Sequence, residues 1–233
     1  MVAAAGSQYV IWGWDALFAQ GKLLGVMKVV VSLFLSPILG LWGGFLIHRP
    51  GRRLLTGAKP TVKVTLRRLQ FFTAAGLVFS HGANDAQKSM GMLTMVLLLC
   101  GFIPKFAVPF WVILACAIAI TLGILSGGWW VVRTLGVAIY RVRPLHAFDS
   151  QMTSALLIFS ASYLGAPVSV THVVSTSIMG TGHSERSRTV RWKKAKEVGK
   201  TWLYTIPASA LTSIVVLAVA KIIVGRTTKG DEP

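Results

Sequence analysis

The chain has 233 residues, 54% of them hydrophobic and 13% charged, with a mean hydropathy of +0.65. That composition excludes an ordinary soluble domain and fits an integral membrane protein. The net charge of +17 would suit a nucleic-acid binder, but its placement excludes that reading: seven Lys or Arg lie between Arg49 and Arg68 and seven between Arg186 and Lys200, each block bordering an apolar run.

In chain order, the opening "MVAAAGSQ" lacks a basic n-region, so no signal peptide is expected. A spanning helix needs ~20 mainly apolar residues, and Leu23 to Ile47 is the first window that qualifies. Lys28 inside it is expected to snorkel. The basic block at about 48–68 then reads as a cytoplasmic loop, with His48 solvated beside it. Residues 69–103 read as a crossing interrupted at Gly82-Ala83, and Ala107 to Leu125 crosses back. Cys100 and Cys116 lie in apolar runs and read as inert thiols. Arg133, Arg141 and Arg143 follow "GGWW" and predict an interfacial helix with Trp129 and Trp130 at headgroup level. Ser154 to Gly165 and Val168 to Gly180 are each too short to span, and "GAP" between them turns the chain sharply. Residues 150–182 are therefore expected to form a re-entrant hairpin. A second basic loop at about 183–200 follows, with His146 and His183 solvated, and Thr201 to Val224 is the last clear span. None of these runs shows the alternation of a barrel strand. The expected fold is all-α, a polytopic membrane bundle with interrupted helices, forming a single transmembrane domain over 1–233 with an even number of crossings between the two basic loops.

The chemistry concentrates in the two interrupted segments. In "SHGANDAQKSMG", Ser80 to Gly91, Asn84 or Asp85 is expected to cap a second half-helix from Ala86. In the hairpin, Pro167 suits the first turn of a helix from Val168, with Ser169 and Thr171 just inside. Two helix N-termini facing one cavity would make an anion site, because each presents free N–H groups and a positive dipole end. Of the seven acidic residues, only Asp85 lies inside an apolar span. A carboxylate there costs ~2.5–3.5 kcal/mol on insertion scales, so a functional role is the default. An anion bound beside it needs compensation, which Na⁺ or H⁺ at Asp85 would supply. His81 either braces the turn or handles protons. Gln87 can donate an amide to an anion, and Lys88 either pairs with Asp85 or touches the anion. No metal site is expected beyond a possible Na⁺ at Asp85, and no cofactor. Ser169 and His172 sit three apart, but no Gly-x-Ser-x-Gly elbow and no second intramembrane Asp accompany them, so the chain is not read as an enzyme.

These residues resemble the inorganic phosphate transporter (Pit) family of secondary transporters, in its bacterial form. The motifs that carry the resemblance are "FSHGANDAQKSMG" at 79–91, "WVILACAIAITLGILSGGW" at 111–129, "GAPVSVTHVVSTSIMG" at 165–180, and "VRW" followed by "TIPASAL" within 190–211. The resemblance implies import of inorganic phosphate with Na⁺ or H⁺ by a multi-pass protein of the bacterial inner membrane. It places Asn84, Asp85, Ser169 and Thr171 at the substrate and ion sites, to which Gln87 is added as a phosphate donor. Asp85 and Asn84 are the expected cation ligands, with His81, Lys88 and His172 in support. Family members look like inverted repeats with an Asn-Asp turn in each half, whereas this chain holds one such pair at 84–85. The expectation is a site left incomplete in one polypeptide and completed by a partner chain or homo-oligomer. The alternative is a noncatalytic membrane subunit or truncated fragment that works only with such a partner.

Overall fold

The computed structural model describes residues 25–54, 61–133, 142–185 and 190–229. They form helices α1 (Gly25–Leu54), α2 (Thr61–Leu99), α3 (Phe110–Arg133), α4 (Pro144–Tyr163), α5 (Val170–Glu185) and α6 (Trp192–Lys229), and no strand occurs among them. The chain divides into two units, residues 28–191 and the remainder, which contains α6.

Within residues 28–191, α2 packs along α4, α4 turns back into α5, and α3 lies against α2. The interior is mostly small and polar. Ser80, Thr94, Thr153, Ser154, Ser175, Ser177 and Thr181 are buried, while Phe34, Trp42, Phe71, Phe72, Phe79 and Leu125 are exposed. A membrane bundle is built this way: lipid tails solvate the large apolar side chains, and small residues let helices approach. Most of these hydroxyls are hydrogen-bonded, either to a carbonyl three or four residues back or, as where Ser154 and Ser177 pair at 2.7 Å, across α4 and α5. A small apolar cluster of Ile158, Val170 and Val173, flanked by Leu77, Leu157 and Val174, fills the space beside them.

Helix α1 is fastened to the hairpin along its length. A Cβ on Gly40 would collide with Thr176, one on Gly44 with the Ser177 backbone, and one on Gly180 with the Leu41 carbonyl. Glycines there permit backbone-to-backbone contact. Pro37 cannot donate to the Leu33 carbonyl, and the Ser36 hydroxyl takes that carbonyl at 3.1 Å. His172 of α5 also hydrogen-bonds the Leu33 backbone.

Two of the expected spans are helices long and apolar enough to cross a membrane, Met27–Arg53 and Phe110–Trp129. The third window, 201–224, lies inside α6, whose Thr201, Thr205 and Ser213 hydroxyls donate to carbonyls four residues back. The hairpin forms as expected around "GAP", but α4 begins at Pro144 and is 20 residues long, enough to span by length. Its α4 end is a Schellman motif. Gly165, at φ +61°, donates to Ser162 O and Ala166 to Ala161 O.

The structure corrects four other expectations. Helix α2 runs unbroken through Gly82-Ala83. A mid-helix Gly costs only about 1 kcal/mol, and the polar side chains either bond one another or, as the Ser80 and Ser89 hydroxyls do, donate to the carbonyl four residues back, both of which leave the helix intact. The basic blocks lie largely on the ends of α1, α2 and α6, not in long loops; residues 55–60 and 186–189 lie outside the described residues. The "GGWW" stretch belongs to α3, with Trp129 exposed, while 134–141, most of the expected interfacial helix, lie outside the described residues. His48 and His146 are not solvated: they are 1% and 2% exposed. His48 donates from Nδ1 to Asp149 Oδ2 at 2.7 Å, its ring 4.7 Å from that of His146. The Arg143 amide donates to His146 Nδ1 at 3.2 Å, which puts the His146 proton on Nε2, 2.8 Å from Glu185 Oε2. Cys116 is buried and Cys100 exposed, both as free thiols.

Candidate substrate and ion site

The polar stretch of α2 meets the hairpin at its turn. On α2, residues 81, 84, 85 and 88 fall on one face by the i, i+3, i+4 rule, and all four side chains converge. Asp85 is the acceptor at the centre. His81 donates from Nε2 to Oδ2 at 3.0 Å, Asn84 from Nδ2 to Oδ1 at 3.2 Å, and Lys88 from Nζ to Oδ1 at 3.4 Å. Two of these donors also cross to the hairpin: Asn84 Nδ2 reaches Val168 O at 3.2 Å and Lys88 Nζ reaches the same oxygen at 2.8 Å. Asn84 is buried, whereas Asp85, His81 and Lys88 are about 37–43% exposed at the side chain. A carboxylate with one wet edge and three donors is accessible to a ligand without being stranded.

Val168 leads directly into the start of α5. The Val173 amide bonds Ser169 O at 3.1 Å, which makes Ser169 the N-cap and not an interior residue. The amides of Val170 and Thr171 then have no carbonyl one turn back to bond. Thr171 is exposed and Ser169 half-buried. The site therefore has one helix N-terminus, that of α5, where two were expected. Asn84 and Asp85 are not caps, because α2 does not restart at Ala86.

Of the expected residues, the structure brings Asn84, Asp85, His81 and Lys88 together and ties them to the residue before Ser169, three positions from Thr171. Gln87 is exposed and about 160° round the helix from Asp85, outside that set. His172 turns toward α1. Sequence reasoning missed the Val168 carbonyl, which carries no side-chain signal. It also missed the partner of Lys28, whose Nζ donates to Leu164 O, at the C-cap of α4, at 3.1 Å. The one sequence signal of Lys28 was a charge alone in an apolar run. Thr73 on α2 donates to Gln151 on α4 at 2.7 Å, and Gln70 donates to the Pro144 carbonyl, so the α2–α4 face below the site is also hydrogen-bonded.

Among the described residues no group of three or more His, Cys, Asp or Glu is placed to hold a metal ion. The arrangement is instead one carboxylate beside an ammonium, an amide and a helix start, groups of both signs within one cluster.

Comparison with known proteins bears on that chemistry. The family model described as "Phosphate transporter family" matches residues 52–213. A Bacillus subtilis (strain 168) protein described as "Probable low-affinity inorganic phosphate transporter" is 37% identical over 89% of this chain and 62% of its own length. A Rhizobium meliloti (strain 1021) protein of the same description is 38% identical over 81% of this chain and 57% of its own length. A solved structure, "The sodium-dependent phosphate transporter", superposes with a TM-score of 0.62 at 26% identity, covering 84% of this chain and 57% of that one. The chain thus spans roughly three-fifths of the length of these proteins. With the family match, the inside-out distribution of apolar side chains is accounted for, and the protein is a membrane protein of the phosphate transporter family.

Proposed function

We propose that this chain carries the phosphate-binding and cation-coupled face of a secondary transporter that imports inorganic phosphate across the bacterial inner membrane as a multi-pass protein. The observation that carries the reading is the bonding of Asn84 and Lys88 to Val168 O, which holds the Asp85 carboxylate beside the first turn of α5. Phosphate is received by the amides of that turn and by the Ser169 and Thr171 hydroxyls. Asp85 supplies the negative charge that a symported cation balances, His81 and Asn84 orient it, and Lys88 moderates it. Opening and closing follow from movement of these elements around a fixed site. The descriptions of the relatives name phosphate, and that of the solved relative names sodium dependence; coupling to Na⁺ or H⁺ is the corresponding reading for this chain.

Asp85→Asn tests it. The amide keeps the size and can still accept from His81, but removes the charge. In cells whose own phosphate importers are deleted, the variant is expected to reach the membrane at the wild-type level. Its cation-driven uptake of radiolabelled phosphate should fall by about tenfold or more, the equivalent of one lost charge-assisted bond. Wild-type uptake with a normal cation dependence would sink the assignment.

A further inference from the structure

Lys88 occupies a distinctive place in this cluster. Its Nζ lies 2.8 Å from Val168 O and 3.4 Å from Asp85 Oδ1, and Asn84 Nδ2 lies 3.2 Å from each of the same two oxygens. A carboxylate oxygen from α2 and a main-chain carbonyl from the hairpin turn therefore converge on one ammonium. Carboxylate and carbonyl oxygens are the ligands that a small, hard cation takes. The other carboxylate oxygen, Oδ2, is filled by the His81 Nε2–H at 3.0 Å. Every oxygen that would coordinate an ion at Asp85 already faces an N–H donor, and one of those donors carries a full positive charge.

Resting on the phosphate:cation reading above, we propose that the Lys88 ammonium is the resident cation of this site, so that phosphate binding by this chain is independent of Na⁺. Two like charges a few ångströms apart repel, and with Lys88 43% exposed at the side chain solvent screening leaves a several-fold weakening of Na⁺ binding. The ammonium is also tethered, which gives it a local concentration that a free ion at ordinary salt does not match. Lys88 is in this way a determinant of ion specificity. The converse follows from the same geometry. Without the ammonium, Asp85 Oδ1 and Val168 O remain in place, and the Asn84 amide can turn its Oδ1 toward them. Three oxygens and water then make a site that Na⁺ can fill.

The test compares purified wild type, Lys88→Met and Lys88→Arg in detergent, in NaCl against choline chloride at equal ionic strength. Thermal unfolding is read without phosphate, and radiolabelled phosphate binding is read separately. Wild type and Lys88→Arg are expected to unfold at the same temperature in both salts and to bind phosphate equally in both. Lys88→Met is expected to be stabilised by NaCl alone and to bind phosphate about tenfold more tightly in NaCl than in choline chloride. If Lys88→Met does not stay monodisperse, Lys88→Ala takes its place. Stabilisation of the wild type by NaCl over choline would overturn the proposal, and so would a folded Lys88→Met with no preference between the salts. Failure of all three proteins to bind phosphate would overturn the phosphate reading instead, while the unfolding comparison would still decide whether Lys88 stands in for Na⁺.

Discussion

Lys28 reaches a carbonyl 136 positions away in sequence, Leu164 O, where α4 ends. Main-chain carbonyls at a helix C-terminus are short of donors and carry the negative end of the dipole, so an ammonium there is worth about 0.3–1 kcal/mol or somewhat more when partly buried. Lys28 at Leu164 O and Lys88 at Val168 O thus hold the two ends of the turn that aims α5. Lys28→Met keeps the length of the side chain and removes the bond. It should speed amide hydrogen exchange at 164–172 by about two- to fivefold, the same free energy read as a rate, with the region around His48 and Asp149 unchanged. Lys28→Arg should restore protection; wild-type exchange in Lys28→Met would refute the role. Residues differ in how legible they were. Asp85 announced itself, because a carboxylate in an apolar run is too costly to persist without a role. Lys28, His48 and Asp149 did not, since each depends on a partner more than 100 positions away that no local pattern reveals.

The hairpin was legible as an element because Gly165, Ala166 and Pro167 have one easy conformation, a left-handed C-cap followed by a residue that cannot continue the helix. The continuity of α2 was not. Gly82 and the polar cluster read as a break, but Ser80 bonds Gly76 O and Ser89 bonds Asp85 O within the helix, and His81, Asp85 and Lys88 bond one another at i, i+3 and i+4 spacing. A sequence does not say whether polar residues will cap a helix or pair along it. The α1–α5 contact makes a sharper claim. Gly180 faces the Leu41 carbonyl with no room for a Cβ, so Gly180→Val must push the helices apart. The expected loss is about 1–3 kcal/mol or more, typical of overpacking, with a lowered unfolding temperature and wild-type behaviour in Gly82→Ala, where a Cβ meets open space. Equal stability of Gly180→Val and wild type would mean that the close approach is absent.

For the molecule as a whole, composition alone indicated a membrane protein, and charge placement gave the order of basic and apolar stretches. The interior was harder to anticipate. It is filled less by the large apolar residues that dominate the sequence than by serine, threonine and glycine, because lipid removes any drive to bury Phe71, Phe72 or Trp42. The interior also holds the buried His48–Asp149 pair and the buried His146, which meets a partly exposed Glu185.

Helix α2 has 39 residues and so runs for ~58 Å, almost twice the ~30 Å thickness of bilayer hydrocarbon. From Arg68 to Asp85 the rise is ~26 Å, so an upright α2 with Arg68 at the headgroups would carry Asp85 nearly through to the far leaflet. Tilt resolves this hydrophobic mismatch, and the depth of the site then becomes a property of the lipid as much as of the protein. With native cysteines replaced by serine, a cysteine at Ser89, which is exposed beside Lys88, should react more slowly with a membrane-impermeant thiol reagent as vesicles change from dimyristoyl to dieicosenoyl phosphatidylcholine. A several-fold fall in rate is expected. A constant rate across that series would mean that the protein fixes the depth of its own site and the bilayer deforms to meet it.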